Sequence, residues 1–467
     1  MSSNSEYKRI VFLIAIIAAL GGLLFGLDQG FIANAGTTLD HVYGMVPGSI
    51  SEGKFNAILA YGGILGTICS GFFTRFVGRK NTLIIAGFSF LLGALISSIL
   101  PPLGILTACR FLLGFGVGLA SFATPLYLAE TAPTEIRGAM SSLFQLMITF
   151  GIFLICLVNV VIVELAGHTQ ISLVMMFSVI TLFALLMTLG CFFLPKSPRW
   201  LMMRGDEEKA REVLARLRNS DEIEAELSII RHKNSQKGEP IKNTLNKPYF
   251  WKILVVGVII QMFQQLVGIN AMIYYAPTFL QGAGLNIILA GLAVFFVNFI
   301  STFPAIRWVE KWGRKKLLTV GATIMAGALL VVAICFYVID IAGVHSEIPK
   351  YILLISCLVY IFGFACSWGP VAWILCSEIF PQKVREIGMT ITTIVNWTFV
   401  WIVVAYSNVI MGSGVWGKPM LFVSYAIFCI IAIVFLKLFV PETKGVSLEK
   451  IEDNLISGSK LKDLGQH

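Results

Sequence analysis

Two stretches of similar pattern, ETAPTEIRG at residues 130–138 and EIFPQKVRE at residues 378–386, show how this chain is built. In the first stretch Glu130 is followed by six residues and Arg137, and in the second Glu378 is followed by six residues and Arg385. The two glutamates lie 248 residues apart (378 minus 130). This spacing indicates that the second part of the chain repeats the architecture of the first.

Two further pairs of motifs occur in the same order along the chain. RFVGRK at residues 75–80 resembles KWGRKK at 311–316, and PKSPRW at 195–200 resembles PETKG at 441–445. The offsets are 235 residues from Arg79 to Arg314 and 246 from Pro195 to Pro441. Three pairs at nearly one offset predict two equivalent halves, which is the architecture of a transporter whose halves rock against each other.

The composition of the chain places these halves in a membrane. Of 467 residues, 57% are hydrophobic and 13% are charged, whereas a soluble domain is about 25% charged. Apolar runs long enough to span a bilayer as helices recur, without the alternation of β-barrel strands. The first run is too long for a cleaved signal peptide. We predict twelve spans, at about 10–34, 55–74, 82–100, 105–128, 139–163, 171–194, 251–280, 286–308, 317–340, 351–376, 387–411 and 419–440.

The predicted fold is therefore an all-α membrane protein of twelve transmembrane helices in two pseudo-symmetric six-helix halves. The halves comprise residues 1–194 and 251–440, and residues 441–467 form a tail. The segment joining the halves, 195–250, is polar and contains DEEKAREVLARLRN at 206–219, where leucines recur among charges at helical spacing. This pattern predicts short amphipathic helices on the cytoplasmic surface.

Basic residues predict the orientation of the chain. If both termini are cytoplasmic, the outside faces carry only Lys54, Lys350 and Lys418. The positive-inside rule favours this arrangement. It accounts for the net charge of +9 without nucleic-acid binding. The inside faces then carry Lys8, Arg9, Arg75, Arg79, Lys80, Arg137, the basic residues of 195–252 and of 307–316, Lys383, Arg385 and the tail.

Neither a cofactor nor an enzymatic activity is expected. The nine Cys fall in the predicted spans without a CxxC pair, and the five His fall in loops or the tail. The sequence GSGVWGKP at 412–419 fits a nucleotide-binding pattern except that Pro419 replaces the magnesium-binding Ser or Thr. Paired catalytic acids, metal clusters and nucleophile motifs do not stand out.

A cluster of amides suggests a site for a neutral polar substrate. In QMFQQLVGINAMIYYAP, 261–277, Gln261, Gln264 and Gln265 share one helix face. Gly268 and Pro277 bracket a segment where the helix can break, and broken helices at the membrane midplane hold substrates in transporters. Amides both donate and accept hydrogen bonds, as the hydroxyls of a neutral polar substrate require. The alternative is that these amides only join helices.

Two ionisable residues lie well inside the predicted spans: Asp28, in FGLDQGF at 25–31, and Arg110. Either charge alone is costly in lipid, so the two are expected to pair. An acid that can take up a proton beside an arginine that modulates its pKa would make a proton site. The alternative is a static pair that only orders the bundle.

These motifs resemble those of the sugar porter family of the major facilitator superfamily, and the resemblance extends over nearly the whole chain. It is strongest to bacterial proton-coupled hexose and pentose symporters. Two departures are visible: Lys196 stands where the family usually has Glu, and Thr74 where the first-half loop often has Asp, whereas the second half has Glu310.

The resemblance implies roles for individual residues. Asp28 and Arg110 match the proton-coupling pair, and Trp373 matches a tryptophan that stacks on the sugar. The substrate-binding residues implied are Gln145, Gln264, Gln265, Asn270, Asn298, Trp373 and Asn396, with Phe25 and Tyr274 as aromatic walls. We expect the symmetric charges to close the cytoplasmic end when the site opens outward; these gating residues are Arg79, Glu130, Arg137, Arg314, Glu378 and Arg385.

The predicted function is import of a monosaccharide such as galactose, glucose or xylose by proton symport. A passive uniporter on the same fold and a sugar sensor without flux are the alternatives. We expect a chain that is functional as a monomer in a bacterial inner membrane, with lipid, sugar and protons as its partners. The sequence does not distinguish among the sugars.

Overall fold

The computed structural model describes residues 3–45, 50–133, 137–218, 223–224, 226–228, 231, 241–282, 284, 286–344, 346–381, 384–446 and 448–465. Every regular element in these residues is a helix, in agreement with the predicted fold class. The side chain of Arg137, which was predicted to take part in gating, lies outside the described residues.

The first half contains six long helices that correspond to the first six predicted spans. The first of them, α1, is longer than its predicted span because it continues at both ends. The helices are α1 (Ser3–Tyr43), α2 (Ile50–Phe76), α3 (Arg79–Ser98), α4 (Leu103–Thr131), α5 (Arg137–Ala166) and α6 (Gln170–Phe193).

Short helices follow in the linker. These are α7 (Pro198–Met203), α8 (Glu207–Leu217) and α9 (Ile241–Leu245). Asp206 caps α8 by accepting a hydrogen bond from the Lys209 backbone N–H at 3.3 Å. The Lys209 side chain also donates to this carboxylate, which lowers the pKa of Asp206. Leu201, Ala210 and Leu214 form a small separate core, so the apolar faces of α7 and α8 pack on each other.

The second half repeats the first, but two of its six spans are broken. The helices are α10 (Pro248–Leu266), α11 (Ile269–Gly282), α12 (Ile287–Trp312), α13 (Arg314–Phe336), α14 (Glu347–Ala365), α15 (Trp368–Ile379), α16 (Arg385–Met411) and α17 (Gly417–Phe439). A π-helical turn, Tyr337–Ile341, extends α13, and a tail helix, α18 (Leu448–Ile456), follows.

The break between α10 and α11 lies where the sequence predicted it. Gly268 has φ of +96°, a backbone conformation that glycine adopts without strain. The break between α14 and α15, at Cys366 and Ser367, was not predicted. Pro370 lies in the first turn of α15, where a missing backbone N–H costs no helical hydrogen bond.

Eleven stretches of the described chain are long and apolar enough to cross a membrane, with α10–α11 and α14–α15 each counted once. The 27-residue helix α2 is the twelfth. Packing of α5 against α12, and of α2 against α16, joins the halves. The chain thus has the twelve-helix fold that was predicted.

Close packing of α1 on α5 sets the position of the predicted proton site. Gly22, Gly26 and Gly30 recur every four residues on α1 and lie at this contact. A Cβ atom at Gly26 would lie 2.0 Å from the carbonyl oxygen of Ile148. Small residues let membrane helices approach closely. Asp28, two positions from Gly26 and Gly30, is thereby turned away from α5.

Candidate functional site

Asp28 and Arg110 meet inside the first half, as predicted. They lie on α1 and α4, are 1% and 0% exposed, and approach to 3.5 Å between Asp28 Oδ1 and Arg110 Nη1. Arg110 also donates from Nε to the carbonyl oxygen of Phe55 at 3.3 Å, and its guanidinium lies 5.0 Å from the centre of the Phe55 ring.

This acid–base pair is incompletely satisfied. Within the described part of the chain, Asp28 Oδ2 and Arg110 Nη2 have no hydrogen-bond partner. Buried polar atoms without partners cost about 1–3 kcal/mol, so each needs an explanation. A carboxylate oxygen that accepts no hydrogen bond is chemically suited to accept a proton.

The predicted amides meet at the interface with the other half. Gln264 and Gln265 from α10, Asn270 from α11 and Asn396 from α16 are all buried. Gln265 donates to Gln264 at 2.7 Å and to Asn396 at 3.2 Å, and Asn270 donates to Gln265. Asn396 donates to Gln264 at 2.6 Å. The break between α10 and α11 places Gln264, Gln265 and Asn270 at helix ends, and Asn396 reaches them from the middle of α16.

A fifth amide completes what we call the amide ring: Gln261, Gln264, Gln265, Asn270 and Asn396. Gln261, which is fully buried, accepts from Asn396 at 2.8 Å and donates to the Cys376 sulfur at 3.7 Å. Most of the described hydrogen bonds of the ring are therefore made between its own members. Sugar hydroxyls could replace these bonds one for one, because each amide both donates and accepts.

Gln29 connects the amide ring to the helix of the proton site. It follows Asp28 on α1, is 7% exposed, and its side-chain N–H donates to Asn270 Oδ1 in the other half. Gln29 was not among the residues predicted from the sequence. Its position beside the acid, on a helix with few polar residues, was the available signal.

The predicted aromatic walls, Phe25 and Tyr274, lie on α1 and α11, the helices that carry Asp28 and Asn270. Phe25 of α1 contacts Trp397 of α16, with ring centres 5.3 Å apart. Tyr274 of α11 lies within reach of the charges of Asp28 and Arg110. Trp373, on α15, is half-buried.

Two of the predicted ligands, Gln145 and Asn298, lie on α5 and α12, which pack against each other between the halves. Gln145 of α5 reaches α15. Its Nε2 lies 3.4 Å from the point where a Cβ atom would stand if Gly369 had a side chain. Asn298 is buried on α12, one turn before Thr302, which lies 3.2 Å from Thr149 of α5. Hydrogen bonds from Gln145, Asn298 or Trp373 to the amide ring are not seen among the described residues.

Trp397 is a second residue that the sequence analysis missed. It is 2% exposed, and its indole N–H has no hydrogen-bond partner among the described residues. It follows Asn396 directly in the sequence. Its ring packs against Phe25 of α1, and a buried donor without a partner is suited to a hydroxyl of a bound molecule.

A charge cluster closes the Arg79–Arg314 end of the bundle. Arg79 at the start of α3 binds Glu130 of α4 at 2.8 Å, and Glu130 also accepts from Ser197 in the linker. The same guanidinium binds Glu386, at the start of α16, at 2.8 Å. Glu386 belongs to the other half, so this ion pair fastens the halves together. Glu386 was not among the predicted gating residues.

The second half has a matching cluster around Arg314, whose described ion pairs lie within that half. Arg314 binds Glu378 at 2.8 Å and Glu310 at 3.3 Å. Glu378 also accepts from Thr443 at 2.6 Å, so the PETKG motif joins this cluster. Arg385 donates from Nε to the Phe380 carbonyl at 3.4 Å.

The departure predicted at Thr74 belongs one residue later, at Arg75, when positions are counted back from the equivalent arginines Arg79 and Arg314. Glu310 lies four residues before Arg314, and the residue four before Arg79 is Arg75. The first half therefore has a base at this position, and Glu386 supplies from the other half a carboxylate equivalent to the one that Glu310 supplies to Arg314.

The described part of the chain contains no cluster of three or more His, Cys, Asp or Glu side chains that could hold a metal ion. What the geometry offers is a buried Asp28–Arg110 pair, an adjacent amide ring between two halves, and an ion-paired closure at one end. These features define a membrane transporter of the alternating-access class.

The chain belongs to the sugar (and other) transporter family, whose family model matches residues 14–455. It is 36% identical over 469 residues to the galactose-proton symporter of Escherichia coli, covering 98% of this chain and 97% of the relative. It is 35% identical over 475 residues to the arabinose-proton symporter of the same organism, covering 99% and 97%.

A solved structure extends this similarity to three dimensions. The proton:xylose symporter XylE of E. coli, bound to 6-bromo-6-deoxy-D-glucose, matches with a TM-score of 0.84 at 30% identity. The match covers 96% of this chain and 99% of XylE, which its description places in the major facilitator superfamily. The family resemblance inferred from the motifs is thus confirmed.

Proposed function

We propose that this chain imports a neutral hexose or pentose together with a proton by alternating access. The observation that carries the proposal is the placement of the Asp28–Arg110 pair beside an amide ring in one membrane bundle, with Gln29 between them. The proton symporters for galactose, arabinose and xylose among the relatives support this function.

The amide ring is the proposed sugar site. Its residues are uncharged, so it suits a neutral sugar better than a sugar acid or amine, whose buried charge would lack a partner. Gln145, Asn298, Trp373 and Trp397 would complete the site, with Phe25 and Tyr274 as apolar walls. A pyranose ring has an apolar face that an aromatic side chain can cover.

Asp28 is the proposed proton carrier. Protonation removes its charge while Arg110 stays charged, so the two states of the pair differ in their attraction between α1 and α4. One proton crossing about 100 mV releases about 2.3 kcal/mol, enough to concentrate a sugar about fifty-fold at one-to-one stoichiometry.

The Arg79–Arg314 end is proposed to face the cytoplasm, because the basic residues concentrate there. Both termini would then be cytoplasmic and the membrane would be the bacterial inner membrane. The gating residues, Glu386 included, would separate when the site opens inward. The proton pair and the amide ring come from one chain, which supports function as a monomer.

Uptake into proteoliposomes tests the proposal. Purified protein is given a panel of labelled hexoses and pentoses, with and without an acid-outside pH gradient. We expect one or more sugars to accumulate above the outside concentration, and a protonophore to abolish the accumulation. Uptake that only equilibrates and ignores the gradient would mean a passive uniporter. Binding without flux would mean a sensor.

A further inference from the structure

Gln29 occupies a position that neither the family match nor the names of the relatives explain. Its neighbour Asp28 lies in the proton pair, while its own amide reaches Asn270 in the other half. Asn270 in turn donates to Gln265, which contacts Gln264 and Asn396. Two hydrogen bonds therefore separate the residue beside the proton acceptor from the centre of the amide ring.

The other polar contacts between the halves do not provide this link. Thr149 meets Thr302 along the seam of α5 and α12, and Arg79 meets Glu386 at the end of the bundle. Among these described contacts, the bond from Gln29 is the one that joins a residue adjacent to Asp28 with the amide ring.

The bond also fixes how Asn270 presents its amide. Asn270 Oδ1 accepts from Gln29, so its Nδ2 is directed at Gln265 Oε1. Both partners are buried, at 7% exposure for Gln29 and 3% for Asn270. Without the Gln29 donor, the carbonyl of Asn270 would lose a partner or the amide would turn over, and a hydroxyl would meet a different pattern of donors and acceptors.

We propose that Gln29 is the positioning residue that couples proton binding at Asp28 to sugar binding at the amide ring, by orienting Asn270. Among the described residues, the ionisable groups that interact with Asp28 are Arg110 from α4, as an ion pair, and Tyr274 from α11, through charge. Protonation of Asp28 weakens its attraction to Arg110, so α1 shifts at this level and moves Gln29 relative to Asn270. The sugar site then senses the proton through one hydrogen bond.

This inference rests on the proposed function, and Gln29→Leu tests it. Leucine has nearly the same volume and no hydrogen-bonding group. Gln261→Leu is the matched control, since Gln261 is a buried amide of the same ring that bonds Asn396 and Cys376 instead of α1. Sugar affinity is measured for each protein in an acidic and an alkaline buffer, and thermal unfolding shows that each variant is folded.

In the unchanged protein we expect sugar affinity to differ between the two buffers. Gln29→Leu should weaken binding about tenfold, the effect of one buried hydrogen bond, and should abolish the difference between the buffers. Gln261→Leu should weaken binding and keep the difference. The same variants should separate in transport: Gln29→Leu exchanges sugar but accumulates little of it in a pH gradient.

Three results would overturn the proposal. Gln29→Leu could keep the full difference between the buffers, which would leave the proposed transport intact and remove Gln29 from the coupling. Gln261→Leu could lose the difference equally, which would make the effect a general distortion of the ring. The unchanged protein could bind sugar identically in both buffers, in which case sugar binding does not sense the proton and the role of Gln29 fails, while gradient-driven accumulation still decides whether transport is proton-coupled.

Discussion

At the scale of single residues, Asp28 has the largest expected effect on function. Asp28→Asn keeps the shape of the side chain and removes its titration. We expect this variant to bind sugar and exchange it between compartments, because the amide ring is intact. It should lose accumulation driven by a pH gradient, measured with labelled sugar in proteoliposomes.

A matched variant and a double variant separate this role from a static one. Asp340→Asn is the same change in an acid that pairs with Lys418 at 2.9 Å, away from the site, and should transport normally. A purely structural pair predicts poor folding of Asp28→Asn and partial rescue when Arg110 is also replaced. Normal gradient-driven accumulation in Asp28→Asn would rule out the proton role.

Gln265 lies at the centre of the amide ring and contacts three of its members. Gln265→Ala leaves those partners unsatisfied, which costs about 1–3 kcal/mol, so sugar affinity should fall about 5- to 150-fold. Equilibrium binding of labelled sugar measures this. Gln170→Ala, the same change at an exposed position on α6, should have no effect. Unchanged affinity in Gln265→Ala would remove this residue from the site.

At the scale of elements, the break between α10 and α11 depends on Gly268. A side chain there would have to adopt a positive φ, and its Cβ would lie 2.6 Å from Tyr425. We expect Gly268→Ala to lower the free energy of unfolding by at least about 1–2 kcal/mol, the cost of the left-handed backbone alone. It should also weaken sugar binding, because Asn270 lies two residues further on.

The control for this element is Gly327→Ala on α13, where a Cβ would meet nothing within 4 Å. This variant should be as stable as the unchanged protein or slightly more so, because alanine favours a helix over glycine. Thermal unfolding in detergent compares the two. Equal stability of the two variants would show that the break tolerates a side chain.

At the scale of the whole molecule, the balance between inward- and outward-open states should depend on the Arg79–Glu386 ion pair. Glu386→Gln removes the charge that fastens the halves and leaves the bond from Arg79 to Glu130 in place. A hydrogen bond to a charged group contributes about 1.5–3 kcal/mol, so the inward-open fraction should rise about tenfold or more. Distances between spin labels at the ends of α2 and α16 measure this fraction.

Glu310→Gln is the control for this prediction. Glu310 pairs with Arg314 inside one half, at 3.3 Å, so its replacement leaves the contact between the halves unchanged. Distance distributions that do not change in Glu386→Gln, or that change equally in both variants, would show that this ion pair does not hold the halves together.

The twelve spans, the repeat of the halves and many of the buried polar residues, though not Gln29 or Glu386, could be predicted from the sequence. Hydrophobic runs of bilayer length are local, and a repeat is visible as a nearly constant offset between motifs. The break at Gly268 was also predictable, since a glycine among amides is a local signal. The break at Cys366 and Ser367 was missed because Pro370, its clearest signal, lies beyond it.

The pairing of these residues was decided only by the tertiary structure. Arg79 and Glu386 are separated by 307 residues, and Gln29 and Asn270 by 241. Which side chains meet depends on the rotation of each helix about its axis and on how the halves pack, because one residue of rotation turns a side chain about 100°. No local pattern encodes those angles. The sequence therefore showed which polar residues lie in the membrane. Packing decided that Gln29 and Glu386 form the contacts that join the two halves.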